Sequence, residues 1–129
     1  MKRLLMMIFM LGALALSGSA LSPVGNATAP HKETALVDFP DQVKLLGVFL
    51  KGRYLIVHDH DKMALGEDCT FVYSRKAGQP DRLVVSFHCI PVARNKAEHF
   101  TVLTARLSSR VTEVREVQFA GSTEGHQVP

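Results

Sequence analysis

The chain has 129 residues, and its fifteen lysines and arginines outnumber its twelve aspartates and glutamates. Two of the basic residues are Lys2 and Arg3, so residues 21–129 hold thirteen basic and twelve acidic residues and carry about +1. No stripe of lysines and arginines interleaved with aromatic residues is present, which argues against nucleic-acid binding. A chain of this length suits one small domain.

Residues 1–20 have the layout of a secretory signal peptide. Two cationic residues are followed by an apolar run from Leu4 to Leu16 and by small residues that end at Ala20. The apolar run is short for a transmembrane helix, and no second run follows it. We therefore expect cleavage after Ala20, no stable membrane span after cleavage, and a secreted or periplasmic protein.

Residues 21–42 contain three prolines and little periodicity, LSPVGNATAPHKETALVDFPDQ. Such a composition buries little surface, so a flexible leader is predicted for this stretch. The folded β domain is expected to span residues 43–120. A second flexible segment, the tail GSTEGHQVP, is expected to follow over residues 121–129.

Short segments rich in β-branched and aromatic residues fill the middle of the chain, separated by Gly, Pro, Asp and Asn clusters. They are VKLLGVFL (43–50), RYLIVH (53–58), CTFVYS (69–74), RLVVSFHC (82–89), HFTVLTARL (99–107) and VTEVREVQF (111–119). In the last segment Val111, Val114 and Val117 recur every three residues, which also fits a helix. A strand is preferred there because the segment follows a short turn.

About six strands joined by short loops predict an all-β fold, in which an antiparallel sheet curls into a small barrel or sandwich. One short helical turn is expected between the second and third strands. Asp61 is its predicted N-cap, and Gly66 is its predicted end.

Cys69 and Cys89, the two cysteines of the chain, bracket a predicted β-hairpin. A symmetric turn centred near Gln79 places Cys69 opposite Cys89 and Phe71 opposite Phe87. Directly opposed residues are close enough for a disulfide, which an exported protein can form. The bond would close a loop worth about 3 kcal/mol in the chain-entropy model. A redox-active pair, or reduced thiols that pack or bind metal, are the alternatives.

Histidines supply a second candidate site. In VHDHDK, His58 and His60 are two residues apart and share one face of an extended strand, and His88 is the natural third ligand. Imidazoles suit zinc and copper, so the three histidines are a candidate metal site. The alternative interpretation is a polar strand end that leads into the helical turn.

No spacing joins Ser, His and Asp residues into a catalytic arrangement, so an enzyme is the less favoured interpretation. The sequence favours a non-enzymatic binding or interaction module without a cofactor, stabilised by a Cys69–Cys89 disulfide. Its partner, a protein or a small molecule, is not identified by the sequence. The alternative functions are a zinc or copper protein that uses His58, His60 and His88, and a thiol-disulfide enzyme.

Overall fold

The structure is a computed structural model that describes residues 31–129. The predicted signal peptide and the first ten residues of the predicted leader lie outside the described residues. Within residues 31–129, eight strands and one short helix follow one another. They are β1 (Lys32–Leu45), β2 (Val48–Asp59), α1 (His60–Ala64), β3 (Thr70–Ser74), β4 (Arg82–Phe87), β5 (Ile90–Ala93), β6 (Thr101–Arg106), β7 (Thr112–Gln118) and β8 (Glu124–Gln127).

One sheet contains all eight strands, in the order β4-β3-β2-β1-β7-β8-β5, and β6 pairs with β7. Its pairs are antiparallel except for β1 and β7, which run parallel where Lys44 lies opposite Glu113. The sheet curls into an open half-barrel, which confirms the predicted all-β class with eight strands rather than about six. Within residues 31–129, no helix is both long and apolar enough to cross a membrane.

Strand β1 corrects the prediction of a flexible leader, which was wrong for residues 32–42. Side chains along β1 alternate between exposed and partly buried, and Glu33, Ala35, Val37 and Phe39 point inward. The strand pairs with β2 along most of its length. The glutamate on the inward face breaks the apolar alternation by which a strand is recognised in sequence.

The β1–β2 connection lies inside the segment that was predicted as one strand, residues 43–50. Leu46 and Gly47 form a two-residue turn, with φ angles of 46° and 81°. Hairpin turns of the I′ type need positive φ at both positions, which glycine adopts readily. The turn sets Val43 opposite Leu50, so the segment is two strand ends and not one strand.

Helix α1 lies where the helical turn was predicted, but its N-cap is Asp59 and not Asp61. The Asp59 carboxylate accepts hydrogen bonds from the backbone N–H groups of Asp61 and Lys62, at 3.1 and 3.2 Å. Because Asp59 is also the last residue of β2, the strand passes directly into the helix. The position of every helical residue is thereby tied to the end of β2.

The C-terminal segments have two outcomes. The strand preferred for residues 111–119 is confirmed as β7. The flexible tail was wrong for residues 124–127, because β8 pairs with β7 on one side and with β5 on the other. His126 lies opposite Val117 and Pro91 in these ladders, and its side chain is fully buried.

The core fills the concave side of the sheet and combines residues of five strands with both cysteines. Its buried apolar members are Phe39, Leu45, Leu50, Tyr54, Ile56, Cys69, Val72, Phe87, Cys89, Val114, Val117 and Phe119. At one end of this core the buried residues become polar. His58 and His126 are both fully buried there.

Gly125 is a tight position next to His126. A Cβ atom at Gly125 would overlap the carboxylate of Glu116, which is held by two hydrogen bonds from the Arg94 guanidinium at 2.8 and 2.7 Å. We expect Gly125→Ala to destabilise the fold by roughly 1–3 kcal/mol, the usual cost of overpacking. Urea unfolding of the variant measures this loss.

A double-mutant cycle with Glu116→Ala tests the cause. If the carboxylate is the obstacle, Gly125→Ala costs less in the Glu116→Ala background. Strictly additive losses would contradict the steric explanation.

Candidate metal centre

Four fully buried side chains from distant parts of the chain meet at the polar end of the core. They are His58 near the end of β2, Cys69 just before β3, Cys89 between β4 and β5, and His126 in β8. Two strand pairings support the position of His58, because Glu33 and Thr70 flank it in β1 and β3. The site therefore depends on the curl of the sheet, which brings β8 towards β2.

Cys89 lies at the centre of the cluster. Its Sγ atom is 3.3 Å from Cys69 Sγ, 3.5 Å from His58 Nε2 and 3.5 Å from His126 Nδ1. The Sδ atom of Met63, in α1, lies 3.8 Å away. Two further sulfurs and two imidazole nitrogens thus lie within 4 Å of the Cys89 sulfur.

The hairpin that carries the cysteines has a different register from the predicted one. Thr70 lies opposite Phe87 rather than His88, and the pairing shifts between Val72 and Tyr73 because Val84 has no partner. The turn is centred on Gly78, one residue earlier than predicted. The prediction paired residues at equal distances from the centre of the turn, and the unpaired Val84 and the shifted centre made this pairing wrong.

The cysteines meet although neither is a paired strand residue. The Cys69 N–H donates to the Phe87 carbonyl at 3.0 Å, and the Cys89 N–H donates to Cys69 Sγ at 3.3 Å. Their proximity confirms that part of the prediction. Both are free thiols in the structure, since a disulfide has its sulfurs about 2.05 Å apart. The disulfide itself stays a prediction.

The two buried imidazoles are stacked, with ring centroids 3.8 Å apart and an interplanar angle of 28°. Burial, followed by the neighbouring His126 and His60, lowers the pKa of His58 to about 3. Burial also lowers the pKa of His126 to about 4. Both rings are therefore neutral near pH 7, and a neutral imidazole is the form that ligates a metal.

Burial and the neighbouring Cys69 thiol raise the pKa of Cys89 to about 12. Without a metal, Cys89 keeps its proton at neutral pH. A bound cation would reverse this preference, because a coordinating thiol is deprotonated. Metal binding at this cluster would therefore release protons.

Glu33 lies on the opposite side of the stacked rings. Its Oε2 atom is 3.8 Å from His58 Nδ1 and 3.6 Å from His126 Nε2. These two nitrogens are buried and have no hydrogen-bond partner. Each ring thus presents one nitrogen to Cys89 and the other to the Glu33 carboxylate, an arrangement like the carboxylate–histidine pairs that orient metal ligands.

Of the predicted metal ligands, only His58 is fully buried in this cluster, and His88 lies at its edge with Nδ1 3.9 Å from Cys69 Sγ. His60 is partly exposed, contacts the His58 ring edge-on and lies 3.1 Å from Glu33 Oε2. His88 is exposed, and its Nδ1 lies 2.7 Å from the Glu67 carbonyl. Among the described residues, the groups with metal-ligand spacing are His58, Cys69 and Cys89, and Glu33, His58 and His126.

Sequence reasoning missed His126 and Glu33. Both lie in segments that were predicted to be flexible, and neither belongs to an apolar alternation. The sequence offered one indication of their role, which is that histidine and glutamate side chains can ligate metal ions.

The two sulfur–nitrogen separations from Cys89 match those around a tetrahedral ion. With metal–sulfur bonds of about 2.3 Å and metal–nitrogen bonds of about 2.0–2.1 Å, tetrahedral angles place sulfur and nitrogen ligands about 3.5 Å apart and two sulfurs about 3.8 Å apart. Both Cys89 sulfur–nitrogen separations equal 3.5 Å, and the sulfur–sulfur separation of 3.3 Å is shorter than the tetrahedral value. Two thiolates and two imidazoles are a common zinc ligand set.

Comparisons of the chain with protein-family models, with curated proteins and with solved structures gave no match. Function is therefore inferred from the chemistry of these side chains.

The lowered pKa values predict that acid destabilises the metal-free protein. An unfolded histidine has a pKa of 6.5, so between pH 6.5 and about 4 the unfolded chain binds more protons than the folded chain. The contribution of each neutral imidazole to the free energy of unfolding is complete above pH 6.5. It falls by roughly 1 kcal/mol per pH unit as the pH decreases below that value. Urea midpoints measured between about pH 7 and pH 5 report this loss.

His126→Gln should flatten that dependence, while His99→Gln, at an exposed histidine outside the cluster, is the matched control. The paired carboxylate of Glu116, whose pKa is lowered by Arg94, acts only below its ordinary value of 4.5 and does not interfere. An unchanged slope in His126→Gln would contradict the assignment.

Proposed function

We propose that the protein binds a transition-metal ion through Cys69, Cys89, His58 and His126. The observation that supports this most strongly is that the fully buried Cys89 sulfur lies 3.3 Å from a second buried thiol and 3.5 Å from each of two buried, neutral imidazoles, and that His58, Cys69 and Cys89 have mutual metal-ligand spacing. The ligand set differs from the predicted set in that His126 and the cysteines replace His60 and His88.

Energetics also favour a bound ion. Burying a polar group without a full hydrogen bond costs about 1–3 kcal/mol. The metal-free cluster leaves His58 Nδ1 and His126 Nε2 without hydrogen-bond partners. An ion on the Cys89 side would place the N–H of each ring on the Glu33 side, where the carboxylate can accept both protons with a small adjustment.

Zinc and copper both suit thiolate and imidazole ligands. The predicted signal peptide supports export, so we place this function in a secreted or periplasmic protein. Its protein or small-molecule partner is not assigned.

A second candidate function is the interaction module stabilised by a Cys69–Cys89 disulfide. The 3.3 Å separation of the two Sγ atoms supports it, because a small movement would bring them into bonding distance. The disulfide and the bound ion cannot exist in one molecule at the same time, because a sulfur in a disulfide is no longer a thiolate ligand. They differ in the oxidation state of the purified protein.

Metal content tests the proposal. We expect one zinc or copper ion per chain by elemental analysis after reconstitution and removal of loosely bound metal. Cys89→Ser and His126→Gln should each lose it, because each removes a ligand. His99→Gln, at an exposed histidine outside the cluster, should retain it and is the matched control. Equal loss in His99→Gln, or a metal-free protein after reconstitution, would rule out the proposed ligand set.

Alkylation separates the two candidates. In the metal-loaded protein we expect both thiols to resist iodoacetamide, and both to react after a chelator has removed the ion and urea has unfolded the chain. Intact mass records the number of labels. Thiols that react only after a reductant is added would instead show the disulfide in the protein as purified.

A further inference from the structure

Met63 places a thioether beside the central thiol of the cluster. Its Sδ atom lies 3.8 Å from Cys89 Sγ, and its side chain is partly buried against the core. Met63 is the single methionine in residues 11–129 of the sequence. The one thioether of this stretch therefore contacts the sulfur that also contacts both buried imidazoles.

The local fold fixes this position. Asp59 ends β2 and caps α1, so the short helix begins at His60, two residues after His58, and turns Met63 back over the cluster. Leu65, two residues later, is 74% exposed. The helix thus turns its thioether inward and leaves a neighbouring aliphatic side chain in water.

Thioether sulfur is a soft, uncharged donor. Together with thiolate it selects Cu(I), whereas the four-ligand zinc sites are built from thiolates, imidazoles and carboxylates. A set made of Cys89, His58, His126 and Met63 holds one thiolate, two imidazoles and one thioether. Such a set has a single negative charge, which balances a monovalent ion in a buried site.

We propose that the resident ion is Cu(I) and that Met63 takes the place of Cys69 as its fourth ligand, beside Cys89, His58 and His126. This inference rests on the proposed metal-binding function. On binding, Cu(I) forms a bond to Cys89 Sγ, and the thiol proton leaves to water. No electron is transferred, and Cys69 can remain a thiol beside the ion.

The test compares two metals in Met63→Leu and wild type. Cu(I) affinity is measured anaerobically by competition with a chromophoric Cu(I) chelator, and Zn²⁺ affinity by competition with a zinc indicator. Removing an outer-shell partner already costs about 10-fold to 100-fold in metal affinity, so loss of a ligand should weaken Cu(I) binding by at least about tenfold. Zn²⁺ affinity should stay within about twofold, because leucine has a similar volume and repacks well.

The outcomes are separable. Unchanged Cu(I) affinity, or equal losses for both metals, would show that Met63 only packs, and would overturn the inference. A wild-type protein that binds Zn²⁺ but not Cu(I) would also overturn it and would leave the proposed function intact. A wild-type protein that binds neither metal would remove both.

Selenium provides a readout that does not depend on the stability of a variant. In selenomethionine-labelled protein loaded with Cu(I), X-ray absorption at the copper edge should show a selenium neighbour. The same label in Met63→Leu should lose it, which controls for the methionines among the first ten residues. A copper spectrum without selenium would contradict ligation by Met63.

Discussion

The stacked pair of buried imidazoles is the constraint on which the polar end of this fold depends. His58 and His126 are fully buried, and burial lowers both pKa values far below the ordinary value. Two neutral rings in contact must place four nitrogens among protein atoms. The structure turns two of them to Cys89 and two to Glu33, so the cluster has a sulfur side and a carboxylate side.

Several elements of the fold are arranged to make this possible. The antiparallel β1–β2 pairing sets Glu33 opposite His58, and the cap at Asp59 ties α1 to the same strand end. On the other side of the half-barrel, β8 is held between β7 and β5, which fixes His126. The local conformation of each element is ordinary. Together they bring soft and borderline metal donors into one buried cluster.

The sequence predicted the parts of the fold that depend on local pattern. The short β-branched runs were sufficient to predict the all-β class, and the spacing of the cysteines was sufficient to predict that Cys69 lies near Cys89. The alternation rule failed at β1, because a glutamate occupies a position on the inward face. The rule gave no signal at β8, where His126 is buried by strands that are distant in sequence.

The metal ligands show the same limit. His58 was predicted from its neighbour His60, but its actual companions come from other segments. His88 was grouped with His58 and His60 from a hairpin register that was one residue wrong, and it is instead exposed, with Nδ1 3.9 Å from Cys69 Sγ. A single unpaired residue, Val84, is enough to change which side chains share a face. Sites assembled by long-range pairing therefore remain beyond pattern analysis even when the fold class is correct.

The most direct test of the central claim is an anomalous-difference map from a crystal of the metal-loaded protein. We expect one strong peak about 2.3 Å from Cys89 Sγ and about 2.0–2.1 Å from His58 Nε2 and His126 Nδ1. A peak bound instead by His60 or His88, or no peak between the thiols and the stacked rings, would contradict the account.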